Sequence, residues 1–241
     1  MIKVGRVKFA VATFGLALAL AGGGHKAHAL VMTVNTTTIG AFEDATYVTL
    51  NDMIAGALPG LHGGINYSFT GDAGVFNGSQ SGLYAAPFVT GDTGAAFGAS
   101  TGVDTTNYLS TGTGSVSMAL PTIADYFGTL WGSVDAYNSL AFYANDALVG
   151  SVSGADVMPN PNGDRGAAGS VYVNITTDTP FDTVVASSGG RHAFEFDNVA
   201  FAALPDTTPT PLPEPFSLGL MAMGALGLGV AARRRRAPDA S

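Results

Sequence analysis

The chain has 241 residues, a formal net charge of −8 at pH 7 and no cysteine. The absence of thiols excludes disulfide staples, cysteine metal sites and thiol nucleophiles. The acidic balance argues against nucleic acid as a partner, because phosphates would be repelled.

Residues 1–29 read as a secretory signal peptide. Lys3, Arg6 and Lys8 form a basic n-region, Phe9 to Leu20 is apolar, and Ala27-His28-Ala29 is a small-x-small cleavage site. Signal peptidase is the expected partner there, cutting after Ala29. Residues 30–204 are expected to form one exported domain, long enough for a sizeable core. From Leu30 to Glu214 lie seventeen of the eighteen acidic residues but only two strong bases, Arg165 and Arg191, so this region carries about −15 and attracts cations.

Short alternating segments fill the domain. Ile65, Tyr67 and Phe69 share one face, and Val116, Met118 and Leu120 another. Leu140 and Phe142 lead into Asn145-Asp146, a hairpin turn, and Leu148 to Val152 returns. Val171, Val173 and Ile175 alternate with Tyr172 and Asn174; Phe181, Thr183 and Val185 follow. No sustained helical period occurs here. The pattern predicts an all-β fold, a jelly-roll-like antiparallel β-sandwich. Gly71 to Gly114, rich in Gly, Thr and Ser, is expected to be a long mobile loop region bearing isolated strands. Its Thr111-Gly112-Thr113 has the Thr-x-Thr spacing of flat ice-binding faces, but one copy cannot build such a face.

Two stretches carry the candidate sites. Tyr126 to Asn138 is rich in aromatics and holds the only tryptophan. Trp131 and Tyr137 are candidates for stacking on a sugar ring; the competing reading is core packing plus a turn. In Phe194 to Phe201, Phe194 and Phe196 are out of phase with Val199 and Phe201, which predicts a bulge near Asp197-Asn198. Pairing of the first and last strands would bring Glu43 or Asp44 close to Asp197, so these three carboxylates are candidate calcium ligands. Asp178 and Asp182 rest on weaker grounds, and Asn160 to Asp164 reads as a surface loop. His62 and His192 are the histidines left after the signal, and neither sits in a metal-ligand pair. No Gly-x-Ser-x-Gly elbow is present. No catalytic residue is therefore expected and the domain reads as non-enzymatic, with a paired-carboxylate hydrolase as the enzymatic alternative.

A Pro/Thr-rich stalk, residues 205–212, precedes Pro213-Glu214-Pro215. Phe216 to Ala232 is an uncharged run of seventeen residues with four glycines, followed by Arg233, Arg234, Arg235 and Arg236. Seventeen residues barely cross a hydrocarbon core of roughly 30 Å. The arginines are expected to stay cytoplasmic, which puts the domain on the other side.

This tail (213–236) resembles the PEP-CTERM sorting signal of Gram-negative bacteria, a tail that also carries the label ice-binding protein C-terminal domain. The resemblance implies recognition of Pro213-Glu214-Pro215 by an exosortase, an integral-membrane cysteine protease. The helix would then be removed and the protein released or transferred to the surface. Leu212 stands where the family usually has valine. The segment Trp131-Gly132-Ser133-Val134-Asp135-Ala136-Tyr137-Asn138 is similar to a stretch found in exosortase-dependent surface proteins. The paired termini with acidic residues also resemble carbohydrate-binding sandwiches that carry a structural calcium. Together these imply an exported protein, held transiently in the inner membrane and then placed at the cell surface or in the extracellular matrix. A non-enzymatic structural role is expected. The alternatives are a carbohydrate-binding module attaching to exopolysaccharide and, behind it, a glycan hydrolase.

Overall fold

The computed structural model describes residues 13–15, 31–37, 40–90 and 101–203. Ala27 and Ala29, the stalk, the Pro213-Glu214-Pro215 motif, the apolar run and the arginine cluster lie outside them. The strands, in chain order, are β1 (Thr13–Gly15), β2 (Val31–Thr37), β3 (Thr46–Val48), β4 (Gly60–His62), β5 (Ile65–Thr70), β6 (Gly74–Asn77), β7 (Phe88–Val89), β8 (Gly102–Val103), β9 (Asn107–Thr111), β10 (Ser115–Gly132), β11 (Ser139–Ala144), β12 (Ala147–Ser153), β13 (Val171–Ser187) and β14 (Phe194–Ala202). Helix among the described residues amounts to one turn, α1 (Gly154–Val157). Among the described residues the fold is all-β, with its strands paired antiparallel.

Two long strands organise it. β10 and β13 pair from Ser115↔Ser187 to Trp131↔Val171, with register slips between Ala119 and Tyr126. The slips fall where Pro121 in β10 and Pro180 in β13 cannot donate to the ladder. The alternation in sequence marks β13 as two separate segments and only the first part of β10 as a strand; the structure runs each through the slip as one. Each long strand thereby serves two half-sheets. One has the order β4-β5-β10-β13-β11-β12. The other runs β1-β2-β13-β10-β14, and β14 divides its far edge between β3 and the β9-β6 pair.

Residues from both half-sheets form one core: Ile65, Tyr67, Val116 and Met118 from the first, Phe127, Trp131, Val173, Phe194 and Phe196 from the second. Phe142 of β11 ties them together, with ring centroids 6.0 Å from Phe127 and 4.9 Å from Phe181. In β5 the alternation holds, with Ile65 and Tyr67 buried and Asn66 and Ser68 exposed.

Two local features follow from turn chemistry. The hairpin between β11 and β12 turns on Asn145 and Asp146, at φ 49° and 64°. Paired left-handed residues match the twist of a hairpin and favour Asn-Gly. Asp146→Gly is therefore expected to stabilise the fold by roughly 0.5 kcal/mol, read as a higher urea midpoint at unchanged slope. In β14, Gly128 pairs with Ala200 but Leu130 pairs with Asp197, so two residues bulge opposite Thr129, with Asn198 at φ 52°.

In the described parts of the stretch 71–114 the expected isolated strands are instead paired. β6 and β9 pair across it and β9 joins the edge of β14. Asp72 explains the turn at its end: Oδ1 accepts the backbone N–H groups of Gly112 (3.1 Å), Thr113 (2.8 Å) and Gly114 (3.0 Å). Partial burial would raise this carboxyl, but the N–H donors outweigh it and hold it below its ordinary range. Thr111-Gly112-Thr113 thus serves a tight connection.

Candidate functional site

β10 ends in a turn that projects polar groups beside the start of β14. Asn138, fully buried, fixes the turn. Its Oδ1 accepts Asp135 N–H at 2.9 Å, while its Nδ2 donates to Ser188 Oγ and to the Ala193 carbonyl, both at 3.0 Å. The loop after α1 closes on the same turn, since Gly163 N–H donates to the Val134 carbonyl at 3.0 Å. A cleft of about 250 Å³ opens between these segments, lined by Asp135, Tyr137, Asn162, Arg165, His192 and Glu195.

The Tyr137 hydroxyl donates to Asp135 Oδ2 at 2.8 Å, and the Arg191 guanidinium lies 5.1 Å from its ring centre. Burial and the neighbouring Asp135 carboxylate push this hydroxyl up to about 12, so it is a neutral donor at any physiological pH. Glu195 forms the cleft floor and is 2 % exposed. Ala85 N–H donates to its Oε1 at 2.7 Å and Ser133 Oγ to its Oε2 at 2.6 Å. Burial raises this carboxyl above its ordinary range despite both donors. At the rim, His192 Nδ1 lies 3.4 Å from Asp72 Oδ2.

The residues singled out from sequence are dispersed. Trp131 is fully buried and packs on Phe194 with centroids 4.4 Å apart, so it faces the core and is no sugar platform. Tyr137 lines the cleft. Glu43 and Asp44 are exposed in the turn before β3. β3 does pair with β14, but Val48 stands opposite Val199, so Asp197 falls beyond the end of β3, beside the Leu50 N–H. The structure does not bring Glu43 and Asp44 to Asp197; it brings Asp104 there instead. Asp182 Oδ2 accepts Asn145 N–H at 2.7 Å, which ties the β11–β12 turn to β13, and Asp178 accepts from the adjacent Thr179. His62 Nε2 bonds the Thr49 carbonyl at 2.8 Å. Among the described residues no three His, Cys, Asp or Glu side chains gather as a metal cluster. Asp135, Asn162, Arg165 and Glu195 were not selected from sequence as site residues. Asp135 lies inside the aromatic stretch, Glu195 inside the Phe194–Phe201 stretch and Asn162 inside the 160–164 loop, while Arg165 carries no local signal.

No family model matches the chain, and no curated protein does. Among solved structures, the chain is similar to one described as "Crystal structure of Agl-KA catalytic domain", at a TM-score of 0.37 and 15 % identity, over 74 % of this chain and 31 % of that one. The chain thus spans about a third of that protein's length.

Proposed function

We propose that the chain is an exported surface protein, sorted by an exosortase through Pro213-Glu214-Pro215, whose jelly-roll-like β-sandwich binds extracellular polysaccharide through the Tyr137 cleft. The signal peptide and the apolar run ending in Arg233 to Arg236 would carry it through the inner membrane and hold it there until processing. The cleft is the observation that carries the binding role. It sets an aromatic side chain beside a carboxylate, an amide and a guanidinium in a space of about 250 Å³. A sugar ring needs this mixture, namely an apolar face to rest against and planar groups to pair with its hydroxyls.

The disposition of Glu195 weighs for binding over hydrolysis. A glycosidase acid must deliver its proton into the cleft. Both Glu195 oxygens are instead engaged by Ala85 and Ser133. Affinity electrophoresis of the full chain through gels containing the host's exopolysaccharide tests the reading. Wild type is expected to be retarded, and Tyr137→Ala to lose about tenfold or more in affinity, as a stacked aromatic contributes over 1 kcal/mol. Equal retardation of both proteins would remove the cleft from the account. The mass of the mature protein from its native host tests the sorting half; an intact C-terminus on surface material would refute it.

A further inference from the structure

Strong bases are scarce in this domain, and their placement is not scattered. Residues 30–214 carry seventeen acidic side chains and two strong bases, Arg165 and Arg191. The fold brings both to the Tyr137 cleft from different loops. Arg165, on the loop after α1, lines it. Arg191, on the turn between β13 and β14, stands over the Tyr137 ring, 5.1 Å from its centroid. Both side chains are exposed, and neither has a carboxylate partner, since the ion pairs among the described residues are His62 with Asp52 and His192 with Asp72.

The acids nearby are engaged elsewhere. Both Glu195 oxygens accept from Ala85 and Ser133, and burial favours the protonated form. Asp135 Oδ2 accepts the Tyr137 hydroxyl, and Asp72 faces His192. Asp164, next to Arg165, turns back into its own loop, where Oδ1 accepts Gly166 N–H at 2.9 Å. Charges more than roughly 8 Å away are largely screened at physiological salt, so the acids on the rest of the domain act only weakly here. The two guanidiniums set the local potential.

The hydroxyls of a neutral sugar are served by an amide and a carboxylate, and they give no reason for an acidic domain to place both of its guanidiniums at one cleft. An anionic sugar gives that reason. Resting on the reading of the cleft as a polysaccharide site, we propose that it selects an acidic sugar, a pyranose that bears a carboxylate as a uronic acid does. Arg165 is the residue that pairs with the carboxylate, and Arg191 adds a second positive charge at the rim. A guanidinium fork matches a planar carboxylate with two parallel, charge-assisted hydrogen bonds. A phosphate would bring up to two charges against Asp135; a carboxylate brings one.

The test compares the full chain with its Arg165→Met variant by affinity electrophoresis. One gel holds the host's exopolysaccharide, the other the same polymer with its carboxyl groups reduced to alcohols. Both proteins carry the arginine tail, so comparing them within each gel cancels its contribution. Arg165 is exposed, so equal melting midpoints are expected. On the native polymer Arg165→Met should bind about tenfold or more weakly than wild type, and on the reduced polymer the two should bind alike. Arg165→Lys should recover only part of the loss. Should Arg165→Met not fold, Arg191→Met carries the same comparison with a smaller factor. Equal retardation of wild type in both gels, or the same loss for the variant in both, would overturn the proposal while leaving a neutral-sugar cleft wherever Tyr137→Ala still fails to bind. Full return of the gap when the reduced polymer is sulfated would also overturn it, because Arg165 would then read charge alone. Tyr137→Ala retarded like wild type on the native polymer would remove the cleft reading and this inference with it.

Discussion

Trp131→Ala is expected to cost about 4 kcal/mol and to lower the melting midpoint by about 10 °C. The side chain is fully buried in the core that the two half-sheets share, against Phe194. Removing it leaves a large void in a core whose neighbours are themselves rings, held by strands that cannot collapse inward without breaking their ladders. Trp131→Phe should cost much less, about 1–2 kcal/mol. Phenylalanine keeps most of the ring contact, and the indole N–H has no acceptor, so its loss relieves an unpaired buried donor. Urea unfolding of the three proteins measures both values. The same proteins, run in polysaccharide gels at a temperature where all are folded, should be retarded equally, because Trp131 does not line the cleft. A variant that unfolds normally but no longer binds would place this tryptophan at the ligand after all.

The contrast between Trp131 and Tyr137 shows what residue order can convey. Both are aromatic, six positions apart, in one stretch. Size says that such rings will be covered or will cover something; it does not say by what. What separates them is a backbone event: β10 ends at Gly132, and Ser133 at φ 38° begins the turn that swings Tyr137 out to the cleft. Features set by neighbours in sequence were legible, such as the Asn145-Asp146 hairpin, the Asp197-Asn198 bulge and the alternation of β5. Features set by register were not. From sequence, the first strand is expected to pair with the last; β2 instead pairs with β13 and β3 takes the edge of β14, and the residue opposite Asp197 depends on a shift of a few positions that no pattern fixes. The cleft is harder still. Its lining comes from four separated loops around Tyr84, Ser133, Gly163 and Ala193, and no periodicity links them. Asp104 meets Asp197 for the same reason, through the fold alone.

Glu195→Ala and Glu195→Gln should have opposite outcomes. Alanine strands two donors, Ala85 N–H and Ser133 Oγ, and opens space beside β14, so a loss of about 2–4 kcal/mol is expected. Glutamine can accept from Ala85 with its oxygen and donate to Ser133 with its amide, keeping both bonds without the charge. The pH dependence separates the two effects. Burial raises the Glu195 carboxyl, so the folded state binds its proton more tightly than the unfolded chain does. Its contribution is then fully present below the ordinary carboxylate range and is lost as pH rises through the raised folded value. Glutamine has no proton to lose. Glu195→Gln should match or fall short of wild type at pH 4 and equal or exceed it at pH 8, with a shallower slope between. Asp197, shifted the same way by burial and by Asp104, leaves some slope in both proteins. Thermal melts from pH 4 to 8 decide it. A glutamine variant less stable than wild type at pH 8, with the slope unchanged, would mean that the ionised carboxylate is a net stabiliser and that the two donors do more than offset its burial. Polysaccharide retardation at pH 7 should survive this substitution, because the groups left to face a sugar are Asp135, Asn162, Arg165 and Tyr137, while Glu195 holds the walls in place.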